Sequence, residues 1–365
     1  MARILFALQD AGAGHRRVAS ALAERLRALT ALDATTVIDL PNAVRTPLLR
    51  SAPRAYDRVA TSRPHLKAFD LAFALTNSQL SCETLGRIAA RSRLAEVTDL
   101  VSREAPDLAV VTHPLFLSDM LAAARARASM SFPIATVVSD PVNPHASWAT
   151  TGSDFVFATT EQAASQLGRF GRSDVTIVDF PVGLEFTRSC QPTEAARQLL
   201  NLEAGAFTVL VMGGGCGAGS MSRQVRSIAE RRPEAQLIVL CGRNEKLRQS
   251  LQSAPWRPAK SRILGFVENA VDYMDAADVI VTKAGPSTIF EAAHRRRELI
   301  ITEERGIQER GNGALVCRNN WGWTISNVVE LASAIASTEP RSRREARADP
   351  GDGGDRLVQA LRRLV

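Results

Sequence analysis

A short apolar run leads directly into a glycine-rich turn near the middle of the 365-residue chain. The segment reads Phe207-Thr208-Val209-Leu210-Val211-Met212-Gly213-Gly214-Gly215-Cys216-Gly217-Ala218-Gly219-Ser220. The apolar part has the length of a buried β-strand, and a helical pattern follows the glycines. A strand, a glycine turn and a helix in this order are typical of anion sites in open α/β sheets, because backbone N–H groups and the helix N-terminus face the ligand.

The spacing of the glycines indicates which classes of anion site this turn can form. No G-K-[ST] follows them, and they do not form a clean G-x-G-x-x-G, which argues against nucleotide triphosphatases and dinucleotide enzymes. The four glycines Gly213, Gly214, Gly215 and Gly217 favour a phosphate site. A tight turn that needs small residues only for packing stays open as the alternative.

Strand-like runs alternate with amphipathic stretches on both sides of this segment, which predicts parallel sheets with helical crossovers. The runs are residues 4–8, 36–40, 108–112, 134–139, 155–159 and 175–180, then 236–241, 262–264, 279–282 and 299–302. The pattern restarts after Pro181-Val182-Gly183. We predict the α/β class, with tandem Rossmann-like doubly wound domains at residues 1–182 and 183–340 and a tail with a C-terminal helix at 341–365.

Composition excludes several other classes of protein. Hydrophobic residues make up 45% of the chain and charged residues 23%, and the mean hydropathy is −0.06, as in globular proteins. No run of 18 apolar residues predicts a membrane-spanning helix, and the run at residues 4–8 is too short for a signal peptide. The five cysteines are scattered without a C-x-x-C pair, which predicts neither disulfides nor a zinc site.

The formal net charge of +7 favours an anionic partner. Only four of the 45 basic residues are lysines. Genomic base composition alone can produce such an excess of arginine, so the net charge is weak evidence for a partner. Aromatic residues make up only 5% of the chain and no nucleic-acid-binding module is recognisable, so we expect no nucleic-acid partner.

A second glycine loop, with Gly12 and Gly14, follows the first predicted strand and ends in His15. Histidine titrates near neutrality and suits general-base chemistry, and a helix N-terminus disfavours its charged form. A helix-capping histidine without chemistry is an equally good interpretation of this segment alone.

Two further segments carry polar side chains after predicted strands. Thr282-Lys283-Ala284-Gly285-Pro286-Ser287-Thr288-Ile289-Phe290-Glu291 reads as a strand end, a turn and a helix start. Glu291 can accept both hydrogen bonds of a ribose diol there, or merely complement the helix dipole. Gln308 and Glu309 can bind sugar hydroxyls, although this pair alone is a weak signal.

In their order and spacing, these segments resemble glycosyltransferase family 28 over residues 4–329. The resemblance is to its branch of monogalactosyldiacylglycerol synthases and processive diacylglycerol glucosyltransferases. The motifs that carry it are Gly12-Ala13-Gly14-His15, Ser139-Asp140-Pro141 with His145 and Trp148, Gly213–Gly217, Cys241-Gly242-Arg243-Asn244, Gly265-Phe266-Val267, Thr282–Glu291 and Gln308-Glu309-Arg310-Gly311-Asn312. The resemblance implies a GT-B fold, in which two Rossmann-like domains face each other across a cleft.

The resemblance also implies roles for individual residues. His15 would be the catalytic base. UDP would be bound by Gly213, Gly214, Gly215, Gly217, Arg243, Phe266, Val267, Gly285, Thr288 and Glu291. The donor sugar would contact Gln308, Glu309 and Asn312, and the acceptor side would include Gly12, Gly14, Asp140, His145 and Trp148.

The implied reaction is an inverting transfer of a hexose from a UDP-sugar to a lipid hydroxyl, with diacylglycerol as the preferred acceptor. No D-x-D triad occurs in the sequence, so we expect no metal and no other cofactor. Two segments depart from the family pattern, namely Gly306-Ile307 before Gln308 and the loop Arg295-Arg296-Arg297-Glu298. Both are expected to flank the donor-sugar pocket, which leaves the identity of the sugar open.

Residues 41–93 mix apolar and basic side chains. Between residues 45 and 67 there are six cations and one acid, which suits an anionic lipid surface. We expect Arg50, Arg54 and Arg58 to contact the membrane, and the protein to be cytoplasmic and peripherally bound to the inner face of the cell membrane. A solvated basic face over a small subdomain is the alternative.

Three other functions remain open at this point. They are a UDP-sugar 2-epimerase, a lipid-linked N-acetylglucosaminyl transferase and a non-catalytic nucleotide-sugar-binding protein. The sequence is silent on the oligomeric state.

Overall fold

The computed structural model describes residues 2–10, 14–29, 34–44, 63–215, 217, 220–256, 260–337 and 347–365. The chain forms two compact units. The first unit comprises Met1–Leu184, Gly306–Gln308 and Gly351–Val365. The second unit comprises Glu185–Arg305 and Glu309–Pro350.

The first unit is built on a parallel six-stranded sheet in the order β2-β1-β3-β4-β5-β6. Its strands are β1 (Arg3–Leu8), β2 (Ala34–Asp39), β3 (Leu108–Val111), β4 (Ile134–Val138), β5 (Phe155–Ala158) and β6 (Val175–Ile177). Strands β3 and β4 are buried along their whole length, because helices cover both faces of a parallel sheet. All six strands predicted for this half are confirmed, with ends shifted by up to three residues.

Helices connect these strands and complete the first unit. They are α1 (Gly14–Leu29), α2 (Leu40–Ala43), α3 (Arg63–Thr76), α4 (Gln79–Arg91), α5 (Leu94–Glu104), α6 (Leu117–Arg127) and α7 (Glu161–Arg169), with a 3₁₀ turn at Ala146–Ala149. The C-terminal helix, Asp355–Arg362, also belongs to this unit. The fully buried guanidinium of Arg25 on α1 bonds both the Val182 carbonyl and Asp355, which ties this helix to the unit.

The second unit repeats the architecture with strand order β12-β11-β10-β7-β8-β9, again all parallel. Its strands are β7 (Thr208–Met212), β8 (Gln236–Leu240), β9 (Ser261–Leu264), β10 (Val279–Thr282), β11 (Glu298–Ile301) and β12 (Gly322–Thr324). The first five were predicted. Strand β12 was missed because three residues with one apolar side chain give too short a signal.

The helices of the second unit are α8 (Leu184–Thr187), which begins at the boundary residue, α9 (Thr193–Leu199), α10 (Met221–Arg231), α11 (Glu245–Gln252), α12 (Ala270–Ala276), α13 (Pro286–His294), α14 (Asn312–Arg318) and α15 (Val328–Ser337). We number the C-terminal helix Asp355–Arg362 as α16. Among the described residues, no helix is both long enough and apolar enough to cross a membrane.

The parallel topology positions the functional loops. In each sheet the carboxyl ends of all strands lie at one edge, where ligands of open α/β sheets bind. The loops that begin at Gly213, Cys241, Gly265, Lys283 and Thr302 therefore share one edge of the second sheet. The start of α1 and the residues after β3 and β4 share the corresponding edge of the first sheet.

Candidate functional site

His15 occupies the first turn of α1, beside the ends of two other strands of the first unit. Its Nδ1 lies 2.9 Å from the carbonyl oxygen of Thr112 and 3.0 Å from Oγ of Ser139. A carbonyl can only accept a hydrogen bond, so Nδ1 carries the proton of the neutral ring. Nε2 is then left with a lone pair, which is the form that a general base requires.

The surroundings of His15 keep its ring neutral. Burial lowers the pKa of His15 to about 4, against the opposing effect of the Thr112 carbonyl. A second histidine, His113, packs edge-on against it with ring centroids 4.3 Å apart. The pKa of His113 is lowered well below its usual value by burial and by His15. His113 was not among the predicted site residues, although its position directly after a predicted strand could have indicated it.

The other residues predicted on the acceptor side are largely internal. Trp148 is 1% exposed, donates from Nε1 to Asp140 at 2.7 Å, and lies with its ring 6.1 Å from that of His15. His145 Nε2 is 3.1 Å from Thr76 Oγ1, and its pKa is lowered to about 4 by burial. Of these side chains, the ring of Trp148 lies near His15. Their contact with an acceptor stays a prediction.

The two glycines predicted in the loop before His15 have different outcomes. Gly14 is the exposed first residue of α1. Gly12 lies outside the described residues, and its predicted place on the acceptor side stays a prediction.

In the second unit, the loops after β7 and β8 pack backbone against backbone. Gly214 and Gly217 have φ values of +69° and +56°, which favour glycine. A Cβ on Gly217 would lie 2.1 Å from the Cys241 carbonyl oxygen, and one on Gly242 2.4 Å from the Gly215 oxygen. Packing therefore accounts for the absence of a side chain at Gly217 and Gly242, and the predicted contact of Gly217 with UDP stays a prediction. Gly213–Gly215 form the turn at the sheet edge.

Arg243 and Phe266 lie together at the ends of β8 and β9. The guanidinium carbon of Arg243 is 5.7 Å from the centroid of the Phe266 ring. The Phe266 side chain is 54% exposed, an unusual position for a large aromatic residue. Val267 follows it in the same turn and is half-buried. A planar ring with a cation beside it can stack against a nucleobase.

The helix α13 begins beside the glycine turn, because its strand β10 pairs directly with β7. Gly285 precedes the helix and Pro286 occupies its first turn, as predicted. Thr288 and Glu291 are three residues apart and therefore share one face of the helix. Both are buried, with 5% and 3% exposure.

Glu309 ends a short 3₁₀ turn, Ile307–Glu309, that follows β11. Its carboxylate pairs with the ammonium of Lys283 and accepts the N–H of Arg305 at 2.9 Å. Gln308 belongs to the first unit and is half-buried. Lys283 lies in the Thr282–Glu291 segment that carries the family resemblance, but no role was predicted for it.

Asn312 begins α14 and is fully buried. Its Nδ2 donates to the Ala284 carbonyl oxygen at 2.9 Å, so it orders the turn before α13. Its predicted contact with a donor sugar stays a prediction.

The expectation that Arg295–Glu298 flank the donor pocket is wrong. This loop joins the end of α13 to the start of β11 and lies at the amino edge of the sheet, opposite the glycine turn. Arg295 is fully buried and donates two hydrogen bonds to Asp275, at 2.9 and 2.5 Å. It also donates to the carbonyls of Phe186 and Arg188. Arg295 therefore has a structural role.

Among the described residues, no group of three or more His, Cys, Asp or Glu side chains could hold a metal ion. Arg50, Arg54 and Arg58, predicted to contact a membrane, lie outside the described residues.

Two protein-family profiles match the chain. The profile of monogalactosyldiacylglycerol (MGDG) synthase matches residues 15–182, and that of the glycosyltransferase family 28 C-terminal domain matches residues 208–308. The relatives include a probable monogalactosyldiacylglycerol synthase 2 of rice (Oryza sativa subsp. japonica), 30% identical over 91% of this chain and 72% of its own. The spinach (Spinacia oleracea) monogalactosyldiacylglycerol synthase is 28% identical over 92% of this chain, which spans 65% of the spinach protein.

Solved structures with the same fold come from more distant proteins. A UDP-GlcNAc 2-epimerase from Neisseria meningitidis bound to UDP-GlcNAc has a TM-score of 0.61 at 12% identity, covering 99% of this chain and 100% of its own. The Anabaena protein HepE in complex with UDP and glucose has a TM-score of 0.56 at 15% identity, covering 100% and 97%. At these identities the likeness shows the fold, which is the GT-B class predicted above.

Proposed function

Because the chain belongs to the monogalactosyldiacylglycerol synthase family within glycosyltransferase family 28, we propose that it transfers a hexose, galactose, from a UDP-sugar to the hydroxyl of diacylglycerol. The observation that carries the chemistry is the neutral imidazole of His15, whose Nδ1 is held by a backbone carbonyl. A base in this state accepts a proton from an alcohol without first having to lose one.

The second unit supplies the donor site in this proposal. The N–H groups of Gly213–Gly215 and the N-terminus of α13 carry partial positive charge at one sheet edge and suit a diphosphate. Phe266 with Arg243 suits the uracil, Glu291 the ribose diol, and Glu309 the sugar hydroxyls.

The transfer proceeds in one displacement. The acceptor oxygen attacks the anomeric carbon from the face opposite UDP, the bond from that carbon to the diphosphate oxygen breaks, and the hydroxyl proton passes to Nε2 of His15. The configuration at the anomeric carbon inverts. The negative charge that develops on UDP is stabilised by preorganised amides and the helix dipole, so the step requires no metal.

We also propose that helix α3 lies on the lipid surface. Leu71 and Leu75, one turn apart on this helix, are 61% and 71% exposed. Leu80, near the start of α4, is 75% exposed, and Lys67 on α3 is an exposed cation. Exposed leucines with neighbouring cations are typical of peripheral membrane contacts on anionic lipid.

Replacing Leu71 and Leu75 together by glutamine should lower the affinity for liposomes containing anionic lipid by about tenfold or more, because their apolar surface no longer leaves water. Flotation of the folded variant measures this. The matched control is Leu199→Gln, since Leu199 is equally exposed at 61% but lies in the second unit. Equal flotation of the double variant and the parent protein would exclude α3 as the contact.

Replacing Glu291 by alanine should weaken UDP binding by about 1–3 kcal/mol, because a buried diol loses its acceptor. Calorimetry with UDP and with its 2′,3′-dideoxy analogue tests this role. The parent protein should prefer UDP, and the variant should bind both ligands alike. A parent protein that binds both equally well contradicts the role of Glu291.

Product analysis tests the proposed function itself. Radiolabelled UDP-galactose, UDP-glucose and UDP-N-acetylglucosamine are each offered with diacylglycerol, with a lipid-linked precursor and with no acceptor. Galactosyl-diacylglycerol is the expected product. Turnover of a UDP-sugar without acceptor would indicate a 2-epimerase, a product only on the lipid-linked precursor an N-acetylglucosaminyl transferase, and UDP binding without any product a non-catalytic protein.

A further inference from the structure

Lys283 stands where three elements of the second unit meet. It follows β10 directly, and its Cε lies near the glycine turn, 3.9 Å from where a Cβ of Gly214 would be. Its Nζ lies over Gly285, 2.9 Å from the position that a Cβ there would take. Gly285 precedes the first turn of α13. The absence of a side chain on Gly285 therefore allows the ammonium to lie at the helix N-terminus.

This placement brings the ammonium of Lys283 close to the positive end of the α13 dipole. A helix N-terminus carries about half a positive charge, so a cation close to it is electrostatically unfavourable in the free protein. The carboxylate of Glu309 compensates by pairing with Lys283, and both side chains are largely buried, at 18% and 5% exposure. A buried ion pair is weak evidence for stability, since desolvation offsets its attraction. The ammonium of Lys283 and the N-terminus of α13 place positive charge at the carboxyl edge of the second sheet, where an anionic ligand is expected.

We propose that Lys283 is a binding residue for the diphosphate of the nucleotide donor, with Glu309 as its partner when the donor is absent. This inference rests on the proposed function, since it assumes a UDP-sugar. The ammonium adds a full charge to the partial charges of the glycine amides and of α13. In this proposal the same ammonium contacts both the diphosphate and Glu309, the residue proposed to bind the sugar hydroxyls.

A ligand series separates this role from a structural one. The affinities of uridine, UMP and UDP are measured by calorimetry, and the ratio of UDP to uridine affinity reports the diphosphate alone. Lys283→Met should lower this ratio by about 10- to 100-fold, the range for a charged hydrogen-bond partner, while uridine affinity stays unchanged. A merely structural effect would weaken all three ligands alike and leave the ratio intact.

Three further variants show whether a lost preference for UDP comes from Lys283 itself or from misfolding. Lys283→Met leaves the buried Glu309 without a counter-charge. The double variant of Lys283→Met and Glu309→Gln is therefore compared with Glu309→Gln alone. Between these two variants the ratio of UDP to uridine affinity should fall by the same amount, about 10- to 100-fold. Lys260→Met is the matched control, because Lys260 pairs with Glu203 in the same unit but both are about half exposed. It should keep the parental ratio.

The outcomes distinguish the inference from the proposed function. A parent protein that prefers UDP strongly, with variants that keep the preference, overturns the role of Lys283 and leaves the proposed function standing. A parent protein that binds UDP no better than uridine overturns the proposed donor, and the inference falls with it. A loss of the preference in both Lys283 variants, but not in Lys260→Met, establishes the role.

Discussion

Replacing His15 by alanine should lower the rate of sugar transfer by about 10²- to 10⁴-fold, the range for a lost general base. The acceptor hydroxyl then has no group to take its proton as it attacks. UDP affinity should stay within about twofold, because the residues proposed to bind UDP itself lie in the second unit. Initial rates with detergent-solubilised diacylglycerol and calorimetry with UDP measure the two effects.

The pH profile adds a second readout for His15. The reactive form is neutral, and the pKa is lowered from 6.5 to about 4, so the protonated fraction at pH 5 is about one tenth. With an ordinary histidine pKa, nearly all of the base would be protonated at that pH. The value of kcat/KM should therefore hold down to about pH 5 and fall only below it. A fall already centred near pH 6.5 would contradict a base that is still neutral at pH 5.

The control for His15 is His65→Ala. His65 is an exposed histidine on α3, and with solubilised acceptor its replacement should leave the rate unchanged. If His15→Ala retains the parental rate, His15 is not the base, and the capping interpretation of this histidine stands.

Replacing Arg295 by methionine should lower the free energy of unfolding by about 3–5 kcal/mol, the cost of leaving a buried charge without its partner. Asp275 is fully buried and would lose its bidentate partner, keeping, among the described residues, only Arg297 at 3.6 Å and the Gln191 N–H at 3.2 Å. The carbonyls of Phe186 and Arg188 would lose their donors. Urea unfolding followed by circular dichroism measures the change.

The neighbouring arginine provides the control for this variant. Arg296 is exposed, and Arg296→Met should change stability by no more than about 0.5 kcal/mol. A loss below about 1 kcal/mol for Arg295→Met would show that Asp275 is compensated without it.

Much of the fold was predictable because buried parallel strands leave a direct trace in sequence. Continuous apolar runs such as Leu108–Val111 and Val279–Thr282 have no other simple interpretation once helical patterns separate them. The glycine turn after β7 and the start of α13 were predictable for the same local reasons. Short edge strands such as β12 were not predictable, because β12 is a strand through its pairing with β11 and not through its composition.

The site was only partly predictable because its contacts depend on which strands are neighbours. His113 meets His15 because β3 pairs with β1, although about a hundred residues separate them in the chain. Lys283 meets the glycine turn because β10 pairs with β7. Neither pairing can be read from a motif.

Arg295 shows a different limit of sequence reasoning. Arginine is ordinarily exposed, and only the tertiary structure places a carboxylate and three backbone carbonyls around this one.

The central claim is that the edge of the second sheet holds a nucleoside diphosphate. A crystal structure of the protein soaked with UDP tests it most directly. We expect the diphosphate within hydrogen-bond distance of the N–H groups of Gly213–Gly215 and at the N-terminus of α13, with the uracil against Phe266. UDP bound at any other place, or no UDP at saturating concentration, would contradict the account.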